Sequence, residues 1–210
     1  MCFSENASIV AFLTGLIGAM LCVSLGSVSD QIVGYFLGFV SLMQGVEYLL
    51  WNHQVCDDYN RTLSILGMLL NHLQPLILGI IILNVNSEII HRDWIINILF
   101  LYTCIIIPYS IQFINSKKEQ CTIKSENSHL LWVWNRQKYS TIIYTIFLIT
   151  ICGLSILGFP KLEYGIYAAL LAIMTYLSSL YYYRKEFVGA LWCYYTAFIP
   201  IIYYVLNEKF

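Results

Sequence analysis

Seven stretches of roughly 20 mostly apolar residues, joined by polar links, leave this chain few ways to fold, because each is long enough to cross a bilayer as a helix. They run at about Ala7–Ser27, Gln31–Trp51, Thr62–Leu83, Trp94–Ile114, Ser140–Leu157, Tyr164–Tyr183 and Phe187–Leu206. Only 11% of the 210 residues are charged, against about 25% in soluble domains, so lipid must solvate most of the surface. No basic stretch precedes the first segment and no clean small-x-small site follows it, so it reads as a retained span and not as a cleaved signal peptide. The expectation is an all-α protein: one integral membrane domain over residues 1–210, a seven-transmembrane-helix bundle of up-down topology, with the lipid bilayer as its main partner. A net charge of -1 offers nothing to nucleic acid.

An odd number of spans puts the two ends of the chain on opposite sides. The side of the N-terminus carries Arg61, Lys117, Lys118, Lys124, Arg136, Lys138, Arg184 and Lys185; the other carries Arg92, Lys161 and Lys209. By the positive-inside rule the N-terminus is cytoplasmic, and Cys56 and Cys121 then stay reduced. The opposite orientation makes a Cys56–Cys121 disulfide the leading idea. It would also suit the Asn6 and Asn60 glycosylation sequons, although both lie too close to a span for easy use. Trp51, Trp94, Trp132, Trp134, Tyr181–Tyr183 and Tyr203–Tyr204 fall near span ends, where amphipathic rings anchor at the headgroups.

Apolar residues cannot mark an inward face when lipid is equally apolar, so small and polar residues must. Gly34, Gly38, Ser41 and Gly45 form one smooth stripe on the second span, and Gln44, Glu47 and Trp51 form another. The third carries Ser64, Asn71, His72, Pro75 and Gly79. Prolines at 75, 108 and 200 interrupt the backbone ladder and free the carbonyls of Asn71, Cys104 and Thr196. Kinks there open local space.

Glu47 is the one acid well inside a span, and a charge at depth is expensive. His72 lies about 15 Å down the third span. Both fall in the N-terminal-side half of the bundle, as do Cys193, Cys2 and His129. Cysteine, histidine and glutamate converging in one half are what a divalent metal site requires. The candidate metal ligands are His72, Glu47, Cys193, Cys2 and His129, without a compact CxxC, HxxxH or HExxH spacing. Catalytic candidates are Glu47, His72 and Cys2, whose thiol and amine could act as a nucleophile after removal of Met1; palmitoylation is another use for that cysteine. The last span has no mid-helix lysine, so no retinal Schiff base is expected, and no P-loop, dinucleotide fingerprint or GxSxG elbow occurs.

The ordered set "MCFS", "GYF" and "SLM" in the second span, Cys56, Leu66–Gly67, His72 with Gln74–Pro75, His129 before Trp132, and Trp192–Cys193 resembles an uncharacterised family of small polytopic membrane proteins beginning Met-Cys-Phe/Trp-Ser. The resemblance covers most of the chain, with the long connection after the fourth span as its loosest part. It implies the place of a site but no reaction. The family carries an acid at the position of Gln44 and an amide at that of Glu47, exchanged here. The expected pocket comprises Gln44, Glu47, Asn71, His72, Gln74, Trp192 and Cys193. It would serve a metal- or small-molecule-binding protein or a membrane-embedded enzyme. The alternatives are a transporter or channel for a small cation or proton, and a structural assembly protein with Gly34 and Gly38 as its helix-packing device; beside the bilayer, a second copy of the chain in a homo-oligomer is the other partner considered.

Overall fold

The computed structural model describes residues 4–116, 120–125, 129–182 and 188–207. Seven helices occupy the expected segments: α1 (Glu5–Leu25), α2 (Val28–Asn52), α3 (Asp58–Val85), α4 (Arg92–Ile114), α5 (Ser140–Gly158), α6 (Leu162–Tyr182) and α7 (Val188–Asn207). The first six are long and apolar enough to cross a membrane, and α7 contributes a shorter apolar length, Trp192–Leu206. The protein is therefore an all-α, multi-pass membrane bundle.

Several helices begin before their apolar stretch, because polar caps start them. Ser4 accepts a bond from the Ala7 N–H, and Ser27 and Asp30 close a reciprocal capping box on α2. Asp57 accepts from the Asn60 N–H at 2.9 Å, which starts α3 ahead of Thr62. That bond, and then the His53 ring, hold the exposed Asp57 carboxyl below its ordinary value. Gly26, at φ 85°, ends α1 in the left-handed region that glycine tolerates best.

Helix neighbours define the cross-section. α2 packs on α3, α3 on α5, α5 on α6, α6 on α7 and α7 on α2, which closes a five-helix ring. α1 lies outside, against α2 and α7; α4 lies outside, against α3 and α5. The close fit of α1 depends on small residues. A Cβ on Gly34 would stand 2.7 Å from the Ala19 carbonyl oxygen, and one on Gly18 would stand 2.6 Å from the Ile201 nitrogen. The smooth stripe of α2 is thus filled from within the chain, by α1.

The long connection between α4 and α5 is folded. Strands β1 (Ile123–Lys124) and β2 (Leu130–Leu131) pair antiparallel, and a 3₁₀ turn follows at Val133–Arg136. Cys121 is disulfide-bonded to Cys56, so the reduced state expected from the charge count is not what is found. Beside the bridge, the Thr122 N–H donates to Asn60 Oδ1 and to Ser64 Oγ, both at 2.9 Å. Asn60 Nδ2 donates back to the Thr122 carbonyl at 3.0 Å. Asn60 is fully buried, and its amide is occupied by these bonds, which removes it as a glycosylation acceptor in the folded protein. Fastened in this way, the connection turns Trp132 and Trp134 into the bundle, where they are 1% and 2% exposed. The interfacial role expected of these two is overturned: side-chain bonds on α3 draw the segment inward. Trp94 and Tyr181, 66% and 83% exposed, do lie on the outer surface near span ends.

Two outcomes test this architecture. Gly34→Leu should destabilise the protein by about 1–3 kcal/mol through overpacking. Gly153→Ala, whose Cβ would meet only Ile98 at 3.9 Å, should be neutral or slightly stabilising; thermal unfolding in detergent compares the pair. Cys56→Ser should lower stability by about 2–5 kcal/mol, as expected for a cross-link closing a long loop. It should also abolish the mobility shift that reduction causes in wild type on a denaturing gel.

Candidate functional site

Helical spacing brings one stripe of each of four ring helices to the interior. On α2, Val33 and Gln44, and likewise Phe36 and Glu47, stand about three turns apart on one face. On α3 the stripe runs Asn60, Ser64, Gly67, Asn71, Gln74 and Leu78; on α5 it is Tyr144, Phe147, Ile151 and Ser155; on α7 it is Trp192, Thr196, Ile199 and Tyr203. A Cβ on Gly67 would meet Val46 at 3.5 Å, which sets the register of antiparallel α2 and α3. From that level Gln44 lies about 3 Å, and Asn71 about 6 Å, towards the other side of the membrane.

Reading along these stripes gives three layers. At the N-terminal-side end sits a plug: Trp132 and Trp134, ring centroids 4.3 Å apart, packed over Gly67 where a Cβ would meet their rings at 3.1 and 3.2 Å. Trp134 Nε1 donates to the Tyr144 hydroxyl at 3.2 Å, and that hydroxyl donates to Asn135 Oδ1. At the far end is a cavity of about 290 Å³ whose wall includes Phe36, Leu37, Leu78, Leu171, Ala172 and Ile199. Tyr164 near the start of α6, Phe159 just past the end of α5 and Tyr203 near the end of α7 also line it, and the Tyr203 hydroxyl is fixed by Asp30 at 2.7 Å. Apolar cavities of even about 150 Å³ hold a benzene-sized molecule and stay free of water.

Between plug and cavity lies a polar layer. Trp192 belongs to both sides of the boundary: its ring lines the cavity and packs edge-on against Phe147 at 6.5 Å. Its Nε1 donates to Gln74 Oε1 at 2.9 Å. Gln74 Nε2 donates to Cys193 Sγ at 3.7 Å, and the Asn71 side chain also bonds that sulfur. Glu47, fully buried, is near enough to Cys193 to act on it electrostatically, and accepts from Ser8 Oγ of α1 at 3.5 Å. Gln44 is likewise fully buried. Neither atom of its amide finds a hydrogen-bond partner among the described residues, nor does Asn71 Oδ1. Buried polar atoms are rarely left so.

Of the residues expected to form a pocket, Trp192 alone lines the cavity, while most of the others gather beside it. Glu47, Asn71, Gln74, Trp192 and Cys193 come together, with Gln44 on the same face of α2. His72 separates from them. Its Nδ1 is 2.8 Å from Ser110 Oγ, its ring lies 5.7 Å from that of Tyr109, and its carbonyl accepts from the Tyr102 hydroxyl at 2.9 Å; all three partners belong to α4. One residue along a helix is a turn of about 100°, enough to send Asn71 inward and His72 outward. His129 sits just before β2 at the turn end of the hairpin, its carbonyl bonded by the Ser125 N–H. Cys2 lies outside the described residues. No three of His, Cys, Asp and Glu gather as metal ligands among the described residues.

Sequence reasoning missed Ser8, Tyr144 and the inward placement of Trp132 and Trp134. The one available signal for the plug was a Trp-x-Trp pair in a connection otherwise rich in charge. Trp134→Ala should cost about 3–5 kcal/mol as a buried ring is lost, while Trp94→Ala stays within about 0.5 kcal/mol; unfolding of the two purified variants decides. Comparison with models of protein families, with curated proteins and with solved structures finds no match.

Proposed function

We infer that this protein binds a small lipophilic or amphipathic molecule within the ring of α2, α3, α5, α6 and α7. The observation that carries the reading is the apolar cavity itself, whose wall includes Trp192, the residue whose N–H bonds Gln74 in the adjoining polar layer. A pocket of about 290 Å³ is at the lower end of ligand-binding sites, so the occupant is a single chain or small ring system and not a two-chain lipid. Left empty, a void of this size forfeits the dispersion contacts of its lining, and an occupant restores them.

The other readings draw less support. A metal centre needs ligands that the described residues do not bring together. A cation or proton path through Glu47 and His72 needs two groups that belong to different contact sets. An assembly role for Gly34 and Gly38 competes with α1, which already covers them. Transport of the bound molecule would require the plug to move, and the Cys56–Cys121 bridge ties that plug down.

The same bridge bears on orientation. The charge count places the N-terminus in the cytosol, but disulfides persist in oxidising compartments. We therefore favour the N-terminal side, with hairpin and plug, facing such a compartment. After mild reduction, a membrane-impermeant thiol reagent applied from the cytosolic side, with only the plasma membrane permeabilised, should leave Cys56 and Cys121 unlabelled. Labelling from that side would restore the cytosolic assignment.

The binding reading is tested with a headless probe, a decane carrying a terminal diazirine, in lipid nanodiscs. Photolysis should label Phe36, Leu37 and Ile199 above lipid-facing Met174, which is 66% exposed. Ala172→Trp, which fills the cavity, should bring them down to the Met174 level. Equal labelling of cavity and lipid-facing residues in wild type would overturn the reading.

A further inference from the structure

Resting on the chamber being a binding site, we propose that its ligand is a single hydrocarbon chain with a hydrogen-bond-donating head and no negative charge, an amine or an alcohol. Hydrocarbon walls discriminate poorly against the surrounding lipid tails, which are equally apolar. Selection therefore falls to the polar layer, and that layer is rich in acceptors. Gln44 Oε1 and Asn71 Oδ1 have no partner among the described residues. Gln74 Oε1 is satisfied by the Trp192 N–H alone among the described donors, and the Glu47 carboxyl lies alongside.

An entering amine or hydroxyl replaces the Trp192 N–H at Gln74 Oε1, donor for donor, as the indole turns aside. It then reaches the open oxygens of Asn71 and Gln44, while Gln44 Nε2, also without a partner among the described residues, donates to the oxygen of an alcohol. A carboxylate or phosphate would meet these oxygens and the Glu47 acid with no Lys or Arg at that depth on the described inward stripes of α2, α3, α5 and α7. Burying such an anion without a partner is strongly unfavourable.

Three further decyl diazirine probes, ending in amine, hydroxyl and carboxylate, test this in nanodiscs beside the headless one. Amine and alcohol should label the cavity residues of wild type above the headless probe, and the carboxylate should fall below it. Gln44→Leu and Asn71→Leu should each reduce amine and alcohol labelling to the headless level, with headless labelling unchanged. Equal labelling by all three heads in wild type, or a carboxylate preference, would overturn the head selectivity without touching the cavity reading, and needs no variant to fold. Cavity labelling absent even with the headless probe would instead overturn both. Unchanged amine and alcohol labelling in both leucine variants would remove these amides as the selecting groups.

Discussion

A chain immersed in hydrocarbon gains nothing by hiding apolar side chains from lipid, yet it must satisfy every polar group it carries there. This constraint organises the protein. The inward stripes of α2 and α3 are marked by Ser64, Asn71, Gln74, Gln44 and Glu47, all of them 2% exposed or less, and apolar residues are divided between inside and outside with little distinction. Small residues do the complementary work: Gly18 and Gly34 let α1 approach so closely that side chains would collide with backbone.

α3 is the spine of the arrangement. One face of it meets the plug through Asn60, Ser64 and Gly67, the polar layer through Asn71 and Gln74, and the cavity through Leu78. Pro75 lies within the helix and frees the Asn71 carbonyl from the ladder. The adjacent face, carrying His72 and Gly79, belongs to α4: Ser110 takes His72, and Leu99 fills the space over Gly79. A polar site and a structural contact are thus kept apart on neighbouring faces of one helix. The result is an interior packed with tryptophans at one end and hollowed into an apolar cavity at the other, with buried polar side chains between them.

Much of this was legible in the residues. The seven apolar helices and the central place of α2 with its two non-lipid faces follow from hydropathy and helical period, as does the inward use of Glu47 and Asn71; Gln74 and Trp192 were marked only by the resemblance to a family of small polytopic proteins. The plug did not follow. Trp132 and Trp134 carry the same amphipathic signature as interfacial anchors, and nothing local distinguishes a ring at the headgroups from one folded under them. Nor did the split between Asn71 and His72, since a broad polar face does not say which neighbour each residue will meet.

By itself, then, the sequence determined that this is a bundle of membrane helices with polar side chains on their inward faces, because length, period and the expense of buried polarity are local properties. Tertiary structure decided the rest: the ring of five helices, the Cys56–Cys121 fastening, the plug drawn in by Asn60 and Ser64, and the cavity that ends on Trp192. Each depends on which faces of distant segments meet, and in a solvent as apolar as the side chains, only the packed arrangement can choose among those pairings.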